Sequence, residues 1–268
     1  MMRIPLAACA LLCVVSFAAD NTSAGDRPIA RIDHFIEQTW EQADVQPAGP
    51  VTDSEFVRRV YLDLVGRIPT PQERETFLAD QRLDRRVHLV DLLLASNDHA
   101  VHFADLFDTL LMGRGRDRDY RDRRKHQWRA WLERVFRDNR PWDDVARQVL
   151  LARPESPQDR GAVWFLYERE NNHQEIAEAI APAFFGIRIE CAQCHDHMLA
   201  SEIEQRHYWG LVAFFNRSEN TKTKNGPRVK ESAIGGFSEF ADLSGESTPN
   251  QLTFFGAGVV DEPRPAAD

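Results

Sequence analysis

Cysteine is scarce: the 268-residue chain has four, too few for a disulfide scaffold. An excess of positive charge is also missing. Lys plus Arg number 33 against 42 Asp plus Glu, a net charge of −9. Such a chain is poorly suited to gripping nucleic acid, because phosphate binding runs on Lys and Arg. There is no glycine-rich phosphate loop and no internal repeat. Apart from one N-terminal stretch there is no long apolar run, which excludes a multi-span membrane protein. What remains is ordinary globular composition, 43% hydrophobic and 28% charged, in a chain long enough for one large domain or two small ones.

The single apolar stretch covers residues 4–19, directly after Arg3, and polar Asp20-Asn21-Thr22-Ser23 follows it. It is shorter than a membrane span needs. Small residues at Ser16-Phe17-Ala18 fit a cleavage site after Ala18, so residues 1–18 read as an export signal. Leu6-Ala7-Ala8-Cys9 resembles a lipoprotein box but falls too early in the run. Export to the periplasm or the extracellular space is the expectation, with no membrane span in the mature chain. Cleavage removes Cys9 and Cys13, leaving Cys191 and Cys194 as the only thiols.

The mature chain reads as mainly α, a helical bundle over 30–217 with an irregular, partly β C-terminal extension over 218–268. Ile32, Phe35, Ile36 and Trp40 share one helical face. Asp53 is placed to cap the next helix, which Gly66 stops. Thr70-Pro71-Gln72-Glu73 is a capping box with proline at the first helical position. Further helices are expected over 84–95, 98–111, 125–139 and 142–151, then through Ile176 to Phe184, and over 208–215. Residues 114–125 hold seven basic and three acidic side chains. They read as a solvated loop, or as a docking patch for an anionic partner or porphyrin propionates. From about Asp261 the chain reads as disordered.

Cys191-Ala192-Gln193-Cys194-His195 is C-x-x-C-H, the attachment signature of haem c. Two intervening residues let both thiols reach the porphyrin vinyl groups from one turn, and the following imidazole becomes the proximal iron ligand. Three rival readings stay open, the plainest being that both cysteines are simply structural. The thiols could close a strained, redox-active disulfide, or join His195, His197 or His207 in a zinc site. For the distal haem position His207 is a candidate, as are His173 and Met112. His197 and Met198 lie too near His195 to cross to the other face. The pairs Glu168/Glu170 and Glu202/Glu204 show nothing that separates acid–base work from a charged surface, so no catalytic residue is assigned. An electron carrier or binding module is favoured over a stand-alone catalyst.

Three blocks carry a family resemblance. They are Ser54-Glu55-Phe56-Val57-Arg58-Arg59-Val60-Tyr61-Leu62-Asp63-Leu64-Val65-Gly66-Arg67-Ile68-Pro69-Thr70-Pro71, then Ala183-Phe184-Phe185-Gly186-Ile187-Arg188-Ile189-Glu190 running into the C-x-x-C-H with Asp196-His197, and Tyr208-Trp209-Gly210-Leu211-Val212-Ala213-Phe214-Phe215. Over roughly residues 31–217 the chain resembles the second planctomycete cytochrome-type domain, domain of unknown function 1549. The resemblance implies an exported protein, often longer, with a second domain downstream. Some members carry a separate cytochrome c domain, and some lie near polysaccharide-degradation genes. A redox protein or that downstream domain is therefore the expected partner. The alternative function is a non-haem extracellular interaction module linked to polysaccharide processing. The chain departs from the family after His197, where Met198-Leu199-Ala200-Ser201 replaces the usual Pro-Phe or Lys-Phe.

Overall fold

The computed structural model describes residues 28–154 and 156–231, and beyond them 238–241, 245, 247–250, 252–256 and 258–260. Residues 1–18, read from the sequence as an export signal, and the end from Asp261, read as disordered, lie outside the described residues. Contacts divide the chain at Val51. In the first unit α1 (Pro28–Gln42) forms as its periodicity predicts, yet none of its residues is buried.

The second unit begins with two capped helices. The N-cap of α2 (Asp53–Val65) is Thr52, whose hydroxyl accepts the Glu55 N–H while Glu55 accepts from the Thr52 backbone. This corrects the expectation for Asp53, which lies in the first turn and pairs with Arg85 and Arg86. Gly66 ends the helix in the left-handed region, at φ 71°, where a side chain would be strained. The Thr70/Glu73 box opens α3 (Pro71–Ala79) as read from the sequence. With α4 (Arg85–Leu94), these helices enclose a cluster of Val57, Tyr61, Val65, Phe77, Leu89 and Leu93.

The central core is built by α5 (Asn97–Met112), α7 (Trp128–Arg137), α8 (Trp142–Leu151), the 3-10 helix Pro157–Val163 and α9 (Trp164–Tyr167). Trp128, Trp131, Val145, Val149 and Phe165 are among its fully buried side chains. Gly161 allows the closest approach in this core: a Cβ there would stand 2.4 Å from the Gln127 carbonyl oxygen and 2.5 Å from Trp131 Cβ.

Residues 117–125 correct a second expectation. They form α6 (Asp117–Lys125), with Asp117 and Asp119 in its first turn and Arg123, Arg124 and Lys125 in its last, the order that complements the helix dipole. Gln127, at φ 65°, separates it from α7. Arg123 is only 3% exposed. It binds Glu168 at 2.7 Å, Asp108 at 3.3 Å, and the carbonyls of Met112 and Gly113. Burial opposes its charge, but the two carboxylates outweigh that and hold the guanidinium above its usual pKa. Each carboxylate also accepts an indole N–H, Asp108 from Trp128 at 2.7 Å and Glu168 from Trp164 at 2.6 Å. Arg169 is buried nearby over the Phe165 ring, donating to the carbonyls of Phe165 and Leu111, and burial pulls its pKa down to about 10.

Helix α10 (His173–Ile180) widens into a π turn, Ala181–Phe185, instead of continuing regularly to Phe184. Pro182 has no N–H for the regular ladder. Gly186 stops the turn in the left-handed region. Helix α11 (Gln205–Phe215) packs on α10 around Ala177, Ile189, Ala192, Tyr208 and Leu211. Three two-stranded antiparallel ladders follow among the described residues. They pair β1 (Ser218–Thr223) with β2 (Gly226–Glu231), β3 (Ser238–Ala241) with β4 (Ser247–Asn250), and β5 (Thr253–Phe254) with β6 (Gly258–Val259). The architecture is mainly α with a partly strand C-terminal region, as the sequence pattern predicts. Among the described residues no helix is long and apolar enough to cross a membrane.

Candidate functional site

The C-x-x-C-H motif begins in a 3-10 turn, Glu190–Gln193, between the π turn and α11; Cys194 caps the turn and His195 follows it. A 3-10 helix has three residues per turn, so positions three apart share an edge. Ile189 and Ala192 form the inner edge, both fully buried against α11. Cys191 and Cys194, also three apart, form the outer edge. Both are exposed and neither is in a disulfide.

Helix α11 pins this turn by its polar side. The Gln193 carbonyl accepts from Gln205 Nε2 and from Trp209 Nε1, each at 3.1 Å. Asp196 Oδ1 accepts the N–H of Gln205, the first residue of α11, at 2.9 Å. One turn further along α11, buried Tyr208 donates to Glu178 at 2.8 Å. Burial and that hydrogen bond push the Tyr208 phenol above its usual pKa, with Cys194 and Glu190 adding to the effect. Asp196, Gln205 and Trp209 were not identified from the sequence. Two of the three lie ten or more residues beyond His195, with no spacing rule to announce them.

The histidines take different roles. His195 is exposed, and its Nδ1–H donates to the Asp196 carbonyl at 2.7 Å, which in the neutral ring puts the lone pair on Nε2, a nitrogen with no hydrogen bond among the described residues. His197 Nδ1 accepts from the N–H groups of Leu199 and Ala200 at 3.2 and 3.0 Å. His207 is buried, and its Nδ1 accepts the Glu204 N–H at 2.9 Å, capping α11. Burial lowers its pKa, with Arg206 adding to the effect. In that state Nδ1 of His207 is occupied and Nε2 carries the hydrogen, so ligation through either nitrogen requires breaking the cap or moving the proton.

The other candidates lie elsewhere. His173 donates to the Ser218 carbonyl of β1, and Met112 packs on the central core beside Arg169. Glu168 belongs to the Arg123 network, and Glu204 pairs with Arg206. Among the described residues no group of three or more His, Cys, Asp or Glu side chains converges on a common point to hold a metal ion. Four-coordinate zinc needs such a group. The donor set does suit haem c: two outward thiols on one edge and an imidazole whose tautomer presents Nε2.

A family model described as PSCyt2, a protein of unknown function (DUF1549), matches residues 31–220. The chain belongs to the PSCyt2 family. The match runs from α1 into β1, so it contains the C-x-x-C-H turn together with its anchors on α11. No curated protein matches the chain, and no solved structure does. PSCyt2 membership carries no assigned activity.

Proposed function

We propose that this PSCyt2 chain is an exported, c-type-cytochrome-like domain that binds haem covalently for one-electron transfer. Cys191 and Cys194 are the thioether anchors and His195 is the proximal ligand. The observation that carries the reading is the division of labour in the turn: Ile189 and Ala192 are buried, both thiols are outward and unbonded, and His195 has Nε2 uncommitted. Bound there, haem would supply a one-electron couple.

The chain's own residues do the positioning. The Asp196 carbonyl fixes the His195 tautomer, the kind of supporting bond that orients metal-ligating imidazoles. Gln205 and Trp209 hold the Gln193 carbonyl, so the two thiols keep one spacing. Met198 and Leu199 beside the motif are 79% and 92% exposed. Covering each against a porphyrin would be favourable by about 1.5–3 kcal/mol. A redox protein or a downstream domain is the proposed electron partner.

The test is intact-mass analysis of protein exported from cells that also express haem-attachment machinery. The expected mass gain is one haem, weakened by Cys191→Ala or Cys194→Ala alone and lost in the double variant. A colourless wild-type protein of unmodified mass would overturn the reading in favour of a non-haem interaction module.

A further inference from the structure

Between the helical core and the β1–β2 hairpin lies a cavity of about 320 Å³ that the haem reading leaves unused. Its walls are apolar, with Leu166, Ile180, Phe185, Leu211, Phe214 and Phe254 contributed by five separate segments. A dry apolar cavity of about 150 Å³ takes up benzene. By that scale this one has room for an alkyl chain of about ten to twelve carbons. It also falls within the ~300–1,000 Å³ of small-molecule sites.

The rim has a different character. Arg153, Arg217 and Lys230 line it against the single carboxylate of Glu231. Glu231 is shared between Arg153 and Arg217, while Lys230 reaches across the hairpin to Glu219 at 2.8 Å. Arg153 is 61% exposed on its side chain, so it can turn from Glu231 to an incoming anion. An apolar pit under a cationic rim selects against cations and against fully polar molecules.

We propose that this cavity binds an amphipathic monocarboxylate, with its alkyl tail among the phenylalanines and its carboxylate at Arg153. The site is independent of the C-x-x-C-H turn and needs no haem.

The test is calorimetric titration of the mature protein with hexanoate, octanoate and decanoate, and with 1-decanol and decylamine as uncharged and cationic probes. Each added methylene should tighten binding about fourfold, so decanoate should exceed octanoate by about fifteenfold. Decanoate should bind about tenfold more tightly than 1-decanol, and Arg153→Glu should remove that advantage without affecting the fold. Leu166→Trp fills the pit and should abolish binding of all three acids. If that variant does not fold, the chain-length series and Arg153→Glu still decide the matter. No saturable binding of decanoate, affinity independent of chain length, equal affinity for 1-decanol, or unchanged binding in Arg153→Glu would each overturn the proposal.

Discussion

Replacing Arg123 by methionine should destabilise the fold by about 3 kcal/mol. The side chain is 3% exposed and holds together α5, α6 and α9 through two carboxylates and two carbonyls. Methionine fills much of the same space but donates nothing. Asp108, nearly buried, and Glu168, partly buried, would then each keep a single indole donor. The carbonyls of Met112 and Gly113 would lose the guanidinium altogether. Removing one partner of a buried ion pair costs about 3–5 kcal/mol, because the other charge stays buried and uncompensated. Glu168 has some access to water, which places the expectation at the lower end. Urea unfolding of wild type and Arg123→Met should show the midpoint falling by about 1 M or more at unchanged slope. Adding Asp108→Asn and Glu168→Gln to the variant should restore much of the loss, since no unpaired charge then remains. Arg123→Lys should not rescue it, because an ammonium cannot reproduce the planar fork. A loss under about 1 kcal/mol in Arg123→Met would refute the reasoning and return Arg123 to a solvated surface.

Two further outcomes follow from the packing and the buried histidine. Gly161→Ala places a methyl 2.4 Å from the Gln127 carbonyl, and since backbone cannot rotate away it should cost about 1–3 kcal/mol or more in the same urea assay. His207 has a folded pKa below its unfolded value of about 6.5, so the unfolded chain binds more protons between the two. Its contribution is fully present above about pH 6.5 and lost as pH falls through the lowered folded value. Stability measured from pH 7.5 to 5 should fall less steeply in His207→Gln, whose amide oxygen can still accept from Glu204. His126, also lowered, first by burial, keeps some slope in the variant. An identical pH profile in the two proteins would refute this account.

Local chemistry was legible in the sequence and distant chemistry was not. Thr70 and Glu73 announce their capping box because both partners lie within four residues, and C-x-x-C-H announces itself by spacing. Asp53 misled because two good caps stand side by side. Thr52 is favoured because Glu55 stands three residues after it and returns the hydrogen bond, while Asp53 is drawn to Arg85 and Arg86 from another helix. Residues 114–125 misled for a related reason. A run of charge reads as solvent-facing, yet Arg123 finds its carboxylates 15 and 45 residues away. The anchors of the motif, Gln205 and Trp209, are hidden in the same manner, since they serve a carbonyl and not a side chain.

The inward placement of Ala192 divides the turn into a face that packs and a face that does not. The turn's hold on α11 runs through Ile189, Ala192, the Gln193 carbonyl and Asp196, none of which is a thiol or His195. Both thiols therefore stand on the side of the turn that takes no part in packing on α11. A reagent approaching from solvent meets both thiols on a face that lies apart from the contacts holding the turn to α11.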